Sequence, residues 1–269
     1  MEQRQGSRAR SEPSPGPGVR NRVTTAFPRT DRSVLADDGD ALNFCSTCAF
    51  SQACLSQGMD KSGLRDLHML VEHVGPLHAG EHVFREGDPF EAIAAVRAGT
   101  VKTYNIDRDG REHVLGFHLP GEVIGLNAIA GDVYPCNAVA LDTAMLCRFS
   151  FPKISVLATK VPRLQQTLFR LLSSDIGRAS LLAGDWTADQ RMAAFLIGLS
   201  RRLAARGFSA DRFQLTMART DIANYLRLAP ETVSRVLKRF QDDAIISVER
   251  RELELLDRAR LETIAGAIL

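Results

Sequence analysis

Between residues 67 and 157 the apolar residues come in short runs, and glycine punctuates them. The runs include His82-Val83-Phe84, Ala92–Val96, Val101–Ile106 and Val114–His118. The breaks are Gly80-Glu81, Gly87-Asp88, Gly99-Thr100, Asp109-Gly110 and Gly121-Glu122. Short strands at roughly ten-residue spacing, bounded by turn signals, read as an antiparallel barrel or sandwich. Asp109-Gly110 has the chemistry of a tight hairpin turn.

After Pro162 the period becomes helical. Leu164, Leu168, Leu171, Leu172, Ile176 and Leu181-Leu182 recur at three- and four-residue steps. The stripe through Leu168, Leu172 and Ile176 fits an inter-subunit seam or ordinary packing against its own domain. A second helix is expected around Ala188–Arg206, with Met192, Phe195, Leu196 and Leu199 on one face. The 269 residues suffice for two modest domains.

Residues 221–240 carry the pattern of a helix-turn-helix. A short helix over 221–226 has Ile222, Tyr225 and Leu226 as apolar contacts, and Ala223 is small enough for a close neighbour. Pro230 suits the first position of the next helix, which buries Val233, Val236, Leu237 and Phe240. Glu231, Ser234 and Arg235 then share one face near its N-terminal end, the end of a recognition helix that meets base edges. Arginine can donate twice to guanine, glutamate can accept from cytosine, and serine can contact either. Lys238 and Arg239 lie further along and suit phosphates. The plainer reading is a solvated charged face on an ordinary helix pair. Ile245–Val248 and Glu252–Leu256 follow as a candidate β-hairpin.

The cysteines supply a separate chemistry. Three are crowded as Cys45-x2-Cys48-x5-Cys54; Cys136 and Cys147 stand far downstream. The N-terminus lacks the apolar core of a secretory signal, and no stretch approaches the ~20 apolar residues of a membrane span. The expected compartment is the cytoplasm. There, cysteine clusters serve as metal ligands or redox groups more often than as disulfides. Zinc is one candidate, although zinc sites more often use two close pairs. An isolated cysteine in an apolar run, such as Cys147, is by itself usually a small buried hydrophobe.

Residues 63–157 hold 8 Lys/Arg against 12 Asp/Glu, whereas residues 186–269 hold 14 against 11. The basic C-terminal end suits a polyanionic partner. Residues 1–42 are rich in Arg, Ser, Pro and Gly and bury too little to repay ordering. They are expected to form a disordered tail, with a basic arm touching DNA as the functional alternative.

Together these features resemble the CRP/FNR transcription regulators, and within them the oxygen-sensing FNR branch. The resemblance covers about residues 43–265. It rests on Cys-Ser-Thr-Cys-Ala-Phe-Ser-Gln-Ala-Cys at 45–54, Gly-Phe-His-Leu-Pro-Gly-Glu at 116–122, Leu-Ser-Arg-Arg-Leu-Ala-Ala-Arg-Gly-Phe-Ser at 199–209 and Glu-Thr-Val-Ser-Arg at 231–235. The fold it implies is α+β: an N-terminal antiparallel β-roll like that of cyclic-nucleotide-binding domains, a long dimerisation helix and a C-terminal winged helix-turn-helix. The divisions expected are a tail over 1–42, a cysteine segment over 43–62, a sensor over 63–157, the dimer helix over 158–185 and the DNA-binding domain over 186–269.

The resemblance also implies a [4Fe–4S] cluster, which takes four thiolates. Cys45, Cys48 and Cys54 match three ligands and Cys147 matches the distant fourth; Cys136 matches none and reads as an inert core residue. The implied protein is a homodimeric, oxygen-responsive regulator of anaerobic gene expression. It binds a palindrome similar to TTGAT-N4-ATCAA in double-stranded DNA and contacts RNA polymerase. A regulator of the same fold sensing nitric oxide or thiol redox state is the nearest alternative. An iron–sulfur enzyme would leave the helix-turn-helix unexplained. Cyclic nucleotide is not expected as effector, because Gly125-Leu126-Asn127 and Tyr134-Pro135-Cys136-Asn137 lack the acid and the phosphate-binding arginine of cyclic-nucleotide-binding relatives. Two departures stand out. Arg227 occupies a turn position where relatives often have glycine, and Ala179 stands where some carry an acid on the dimer helix.

Overall fold

The computed structural model describes residues 45, 48–181 and 184–268; for residues 178–181 and 267 it describes the backbone alone. The expected tail over 1–42 and the side chain of Ala179 lie outside the described residues.

The glycine-punctuated region folds as the sequence pattern requires. Its strands are β1 (Val71–Leu77), β2 (His82–Phe84), β3 (Ala92–Ala98), β4 (Val101–Ile106), β5 (Glu112–His118), β6 (Val123–Ile124), β7 (Asn137–Ala140) and β8 (Ala144–Ser150). They form two four-stranded sheets, ordered β1-β8-β3-β6 and β2-β7-β4-β5, with every pairing antiparallel. The interior between them holds Val83, Phe84, Val96, Val101, Tyr134, Cys136 and Leu146, all at most 1% exposed. A short helix, α1 (Lys61–His68), precedes β1. Asp60 caps it, its carboxylate accepting from the Gly63 amide at 2.8 Å.

Two helices follow β8: α2 (Phe151–Lys160) and α3 (Pro162–Leu181). They are separate because Val161 precedes a proline and is driven to extended backbone, φ −120° and ψ 91°. The boundary expected at 157–158 falls inside α2. No helix among the described residues is long and apolar enough to cross a membrane.

The C-terminal unit contains α4 (Ala188–Ala204), β9 (Arg212–Gln214), α5 (Arg219–Leu226), α6 (Pro230–Asp242), β10 (Ile246–Glu249), β11 (Glu252–Leu255) and α7 (Arg258–Ala265). A capping box starts α4: the Gln190 amide donates to Thr187 Oγ1 at 3.3 Å, and the Thr187 amide donates to Gln190 Oε1 at 3.0 Å. The three strands pair antiparallel in the order β10-β11-β9. The expected hairpin thus has a third strand, supplied by a segment that the sequence pattern did not reveal. Helices α5 and α6 bury Ile222, Ala223, Leu226, Val233, Val236, Leu237 and Phe240 in the same core as Met192, Leu196 and Leu199 of α4.

The turn between α5 and α6 is a Schellman motif. The Leu228 amide donates to Ala223 O at 2.9 Å and the Arg227 amide donates to Asn224 O at 3.0 Å. Arg227 itself is left-handed, with φ 55° and ψ 45°. An L-residue with a long side chain pays about 1 kcal/mol there relative to glycine.

Candidate functional site

Cys48 and Cys54 sit on a tightly wound segment, and Cys45 stands three residues before Cys48 in sequence. Ser51 N donates to Cys48 O at 3.0 Å, Ala53 N to Phe50 O at 2.9 Å and Gln57 N to Cys54 O at 3.1 Å, around a single 3-10 turn over Ser51–Ala53. The fourth sulfur, Cys147, lies on β8 in register with His73 of β1 and Ala95 of β3. Its Sγ is 3.8 Å from His73 Nδ1. Burial pushes the Cys147 thiol up to about 12, with the neighbouring Cys54, Cys45 and Cys48 adding to the rise and Arg97 opposing it. Burial likewise pushes Cys54 up to about 11. Cys45 is raised first by burial and then by Cys48, while Arg97 pulls it back. The mutual repulsions place all four thiols in one neighbourhood. Cys136 stands apart: it is fully buried in the β-roll interior and accepts from Asn127 Nδ2 at 3.4 Å.

Among the described residues no three His, Cys, Asp or Glu side chains form a group that could hold one metal ion. A four-iron cluster does not require that, since each thiolate binds a different iron. Four half-buried or buried soft sulfurs, with Arg97 beside them as a counter-charge, fit such a group.

Two of the thiols and the long helix border one apolar cluster. Leu168, Leu171 and Leu172 of α3 pack against the apolar cluster that also takes Cys54 and Cys147. A different face of α3 carries Phe169 and Ile176, 62% and 68% exposed. They lie seven residues apart and so point the same way. Thus Leu168 faces its own domain, Ile176 faces outward, and Phe169 joins Ile176 as a seam candidate that the leucine stripe concealed.

The C-terminal unit is bolted to the β-roll. Glu122, 8% exposed, receives both Arg202 Nε at 2.8 Å and Arg202 Nη2 at 2.5 Å, and also Arg206 Nη2 at 2.9 Å. Burial opposes ionisation of this carboxyl, but Arg202 and then Arg206 outweigh it and hold its pKa down at about 2. Lys102, 8% exposed, bridges Glu112 at 2.6 Å and Asp221 at the start of α5 at 3.0 Å. Asn224 completes the join, accepting from Val114 N at 2.8 Å and donating to Glu112 O at 2.5 Å. The Phe117 ring of β5 lies tilted at 5.4 Å from Tyr225 and edge-on at 6.2 Å from Phe195. The cysteine segment meets the same junction. A Cβ on Gly121 would stand 3.2 Å from Ala53 and 3.3 Å from Phe50, and the Phe50 ring lies 5.8 Å from Phe208. None of these contacts was read from the sequence.

On α6, Glu231, Ser234 and Arg235 are all exposed on the predicted face. Arg235 Nη2 donates to Thr232 Oγ1 at 3.3 Å and has no ion pair among the described residues, whereas Lys238 pairs with Asp242 at 3.3 Å and Arg239 pairs with Asp189. Exposed pairs of this kind are worth less than ~1 kcal/mol and can open for a phosphate. The sequence reading missed Arg219 at the start of α5 and Arg250-Arg251 between β10 and β11, which are exposed and without an ion pair among the described residues. Replacing Arg235 by alanine is expected to cost roughly 1–3 kcal/mol on the preferred duplex and to flatten preference at one base pair. Lys238→Ala should weaken all duplexes alike. Equal losses on preferred and scrambled DNA for Arg235→Ala would make it a phosphate contact only.

Comparison with known proteins agrees with this anatomy. Residues 75–159 match the cyclic nucleotide-binding domain family, and residues 190–264 match the Crp-like helix-turn-helix domain family. The chain is 42% identical over 228 residues to the transcriptional activator protein Anr of Pseudomonas aeruginosa, covering 84% of this chain and 93% of that one. It is 40% identical over 225 residues to the fumarate and nitrate reduction regulatory protein of Vibrio cholerae, covering 82% and 90%. The structure of FixK2 from Bradyrhizobium japonicum superposes with a TM-score of 0.67 at 30% identity, covering 73% of this chain and 98% of that one. These relatives are regulators of transcription, not enzymes. The chain belongs to the CRP/FNR superfamily of transcription regulators.

Proposed function

We propose that this regulator responds to oxygen through a [4Fe–4S] cluster held by Cys45, Cys48, Cys54 and Cys147, and that it activates anaerobic transcription as a homodimer in the cytoplasm. The observation that carries the reading is the apolar cluster shared by Cys54, Cys147 and the inner leucines of α3. A cluster held by these thiols would supply iron that is reactive towards oxygen. The thiols anchor their loop and β8 against Leu168, Leu171 and Leu172, which steadies α3 with Phe169 and Ile176 turned outward. Two such helices can then pair, bringing two recognition helices onto a palindrome similar to TTGAT-N4-ATCAA, with half-sites about one helical turn apart. Glu231, Ser234 and Arg235 read bases, and Lys238 and Arg239 grip phosphates. RNA polymerase is the further partner proposed, in keeping with the relatives named as activators. Cyclic nucleotide is not the proposed signal: Tyr134, fully buried, stacks on Phe84 at 4.0 Å, and Cys136 beside it is also fully buried.

Anaerobic purification tests the reading. About four irons and four sulfides per chain are expected, with a colour that air destroys. A colourless zinc protein would overturn it. The pairing step has its own test in Ile176→Glu. A carboxylate at mid-seam is buried unpaired on association, which costs several kcal/mol. The variant should keep its iron yet sediment as a monomer and fail to bind the palindrome. A fully dimeric Ile176→Glu protein, or wild type that stays dimeric after air destroys its cluster, would exclude this route.

A further inference from the structure

Six arginines of the C-terminal unit have no carboxylate partner among the described residues; the other seven are in ion pairs. One of the six, Arg191, gives its guanidinium to the carbonyls of Trp186, Leu226 and Gly184. The remaining five are all exposed: Arg219 at the start of α5, Arg227 in the turn, Arg235 on α6, and Arg250 and Arg251 between β10 and β11. Arg227 differs from Arg219, Arg235 and Arg251 in its backbone, and from the wing-tip Arg250 (φ 56°) in its place within the helix-turn-helix itself.

At Arg227 the chain holds an arginine in the left-handed C′ position of the Schellman turn, where glycine fits without strain. Asparagine or aspartate can satisfy itself locally in that conformation; arginine has no short polar group to do so. Among the described residues no hydrogen bond or ion pair engages its guanidinium. Strain that persists without local compensation points to a function. The position supplies one. Arg227 stands two residues before Ala229, the uncapped entry to α6, and the peptide N–H groups of that first turn already favour a phosphate. Resting on the reading that α6 enters DNA, we propose that Arg227 is a backbone grip: its guanidinium holds a phosphate of the duplex where the turn of the helix-turn-helix passes it. It fixes register and adds affinity without reading sequence.

The experiment is a salt titration of binding by the anaerobically purified full chain to a duplex carrying the palindrome and to a scrambled duplex. Arg227→Gly relieves the strain while removing the charge. The slope of log affinity against log salt should become shallower by about 1.8 for the dimer, 0.9 for each lost phosphate contact. Raising salt from 50 to 200 mM should therefore shrink the wild-type advantage about tenfold, equally on both duplexes. The same variant should melt about 2–4 °C higher. Arg227→Lys should keep the wild-type slope. Arg235→Ala, run alongside, separates the two readings. If Arg235→Ala loses base preference while Arg227→Gly keeps the wild-type slope or melts no higher, the grip is overturned and DNA reading by α6 stands. If none of the proteins prefers the palindrome, both fall.

Discussion

Glu122→Gln is expected to destabilise the folded chain by about 3–5 kcal/mol, because it leaves Arg202 and Arg206 buried opposite a neutral amide. Both arginines also donate to carbonyls, Arg202 to Phe117 O and Arg206 to Pro120 O at 2.5 Å and to Arg202 O, but a neutral carbonyl does not replace the charge of the carboxylate. The pH dependence follows from the sign of the shift. The carboxyl ionises more readily folded than unfolded, so its contribution is complete above about pH 4.5 and is lost as pH falls towards about 2. Wild type and variant should therefore differ most at neutral pH in urea unfolding and converge in acid. Equal midpoints at pH 7 would show that the junction holds without this pair.

Serine at position 147 should abolish the cluster, and with it anaerobic pairing and DNA binding. The hydroxyl is a poor substitute for a soft thiolate, and Cys147 is the one candidate ligand supplied by the β-roll rather than by residues 45–54. Serine at 45, 48 or 54 should act alike, whereas Cys136→Ser should keep its iron, because that side chain is sealed in the separate interior with Tyr134. Iron and sulfide content of the five variants decides the matter. Full iron in Cys147→Ser, or none in Cys136→Ser, would refute the ligand set.

What could be read from sequence was what short-range chemistry encodes. Glycines at turns between short apolar runs revealed the β-roll; the Pro230 start and the 3.6-residue period of Val233, Val236, Leu237 and Phe240 revealed α6. The short α1, β9 and α7 escaped because three to eight residues carry too little periodicity. On α3 the leucines formed the stronger stripe, yet they face inward, and the outward face is marked by Phe169 and Ile176. The junction between the units was beyond reach for a different reason. Lys102 and Asp221 are 119 positions apart, and Glu122 and Arg202 are 80 apart. Separately each is an ordinary surface-type residue; only the folded chain brings them together and excludes water.

That junction has a geometric consequence for how a pair of these chains meets DNA. A head fastened by buried ion pairs, an amide bridge and tilted and edge-on aromatic contacts cannot swivel on its own. In a two-fold pair, the distance between the two α6 helices is then set by the crossing and register of the α3 helices, tens of residues away in sequence. The spacer between half-sites is measured by a rigid calliper, whose hinge is the seam and whose arms are the two sensor units. A slip of one turn at the seam would change the span of the jaws without altering any residue that touches a base.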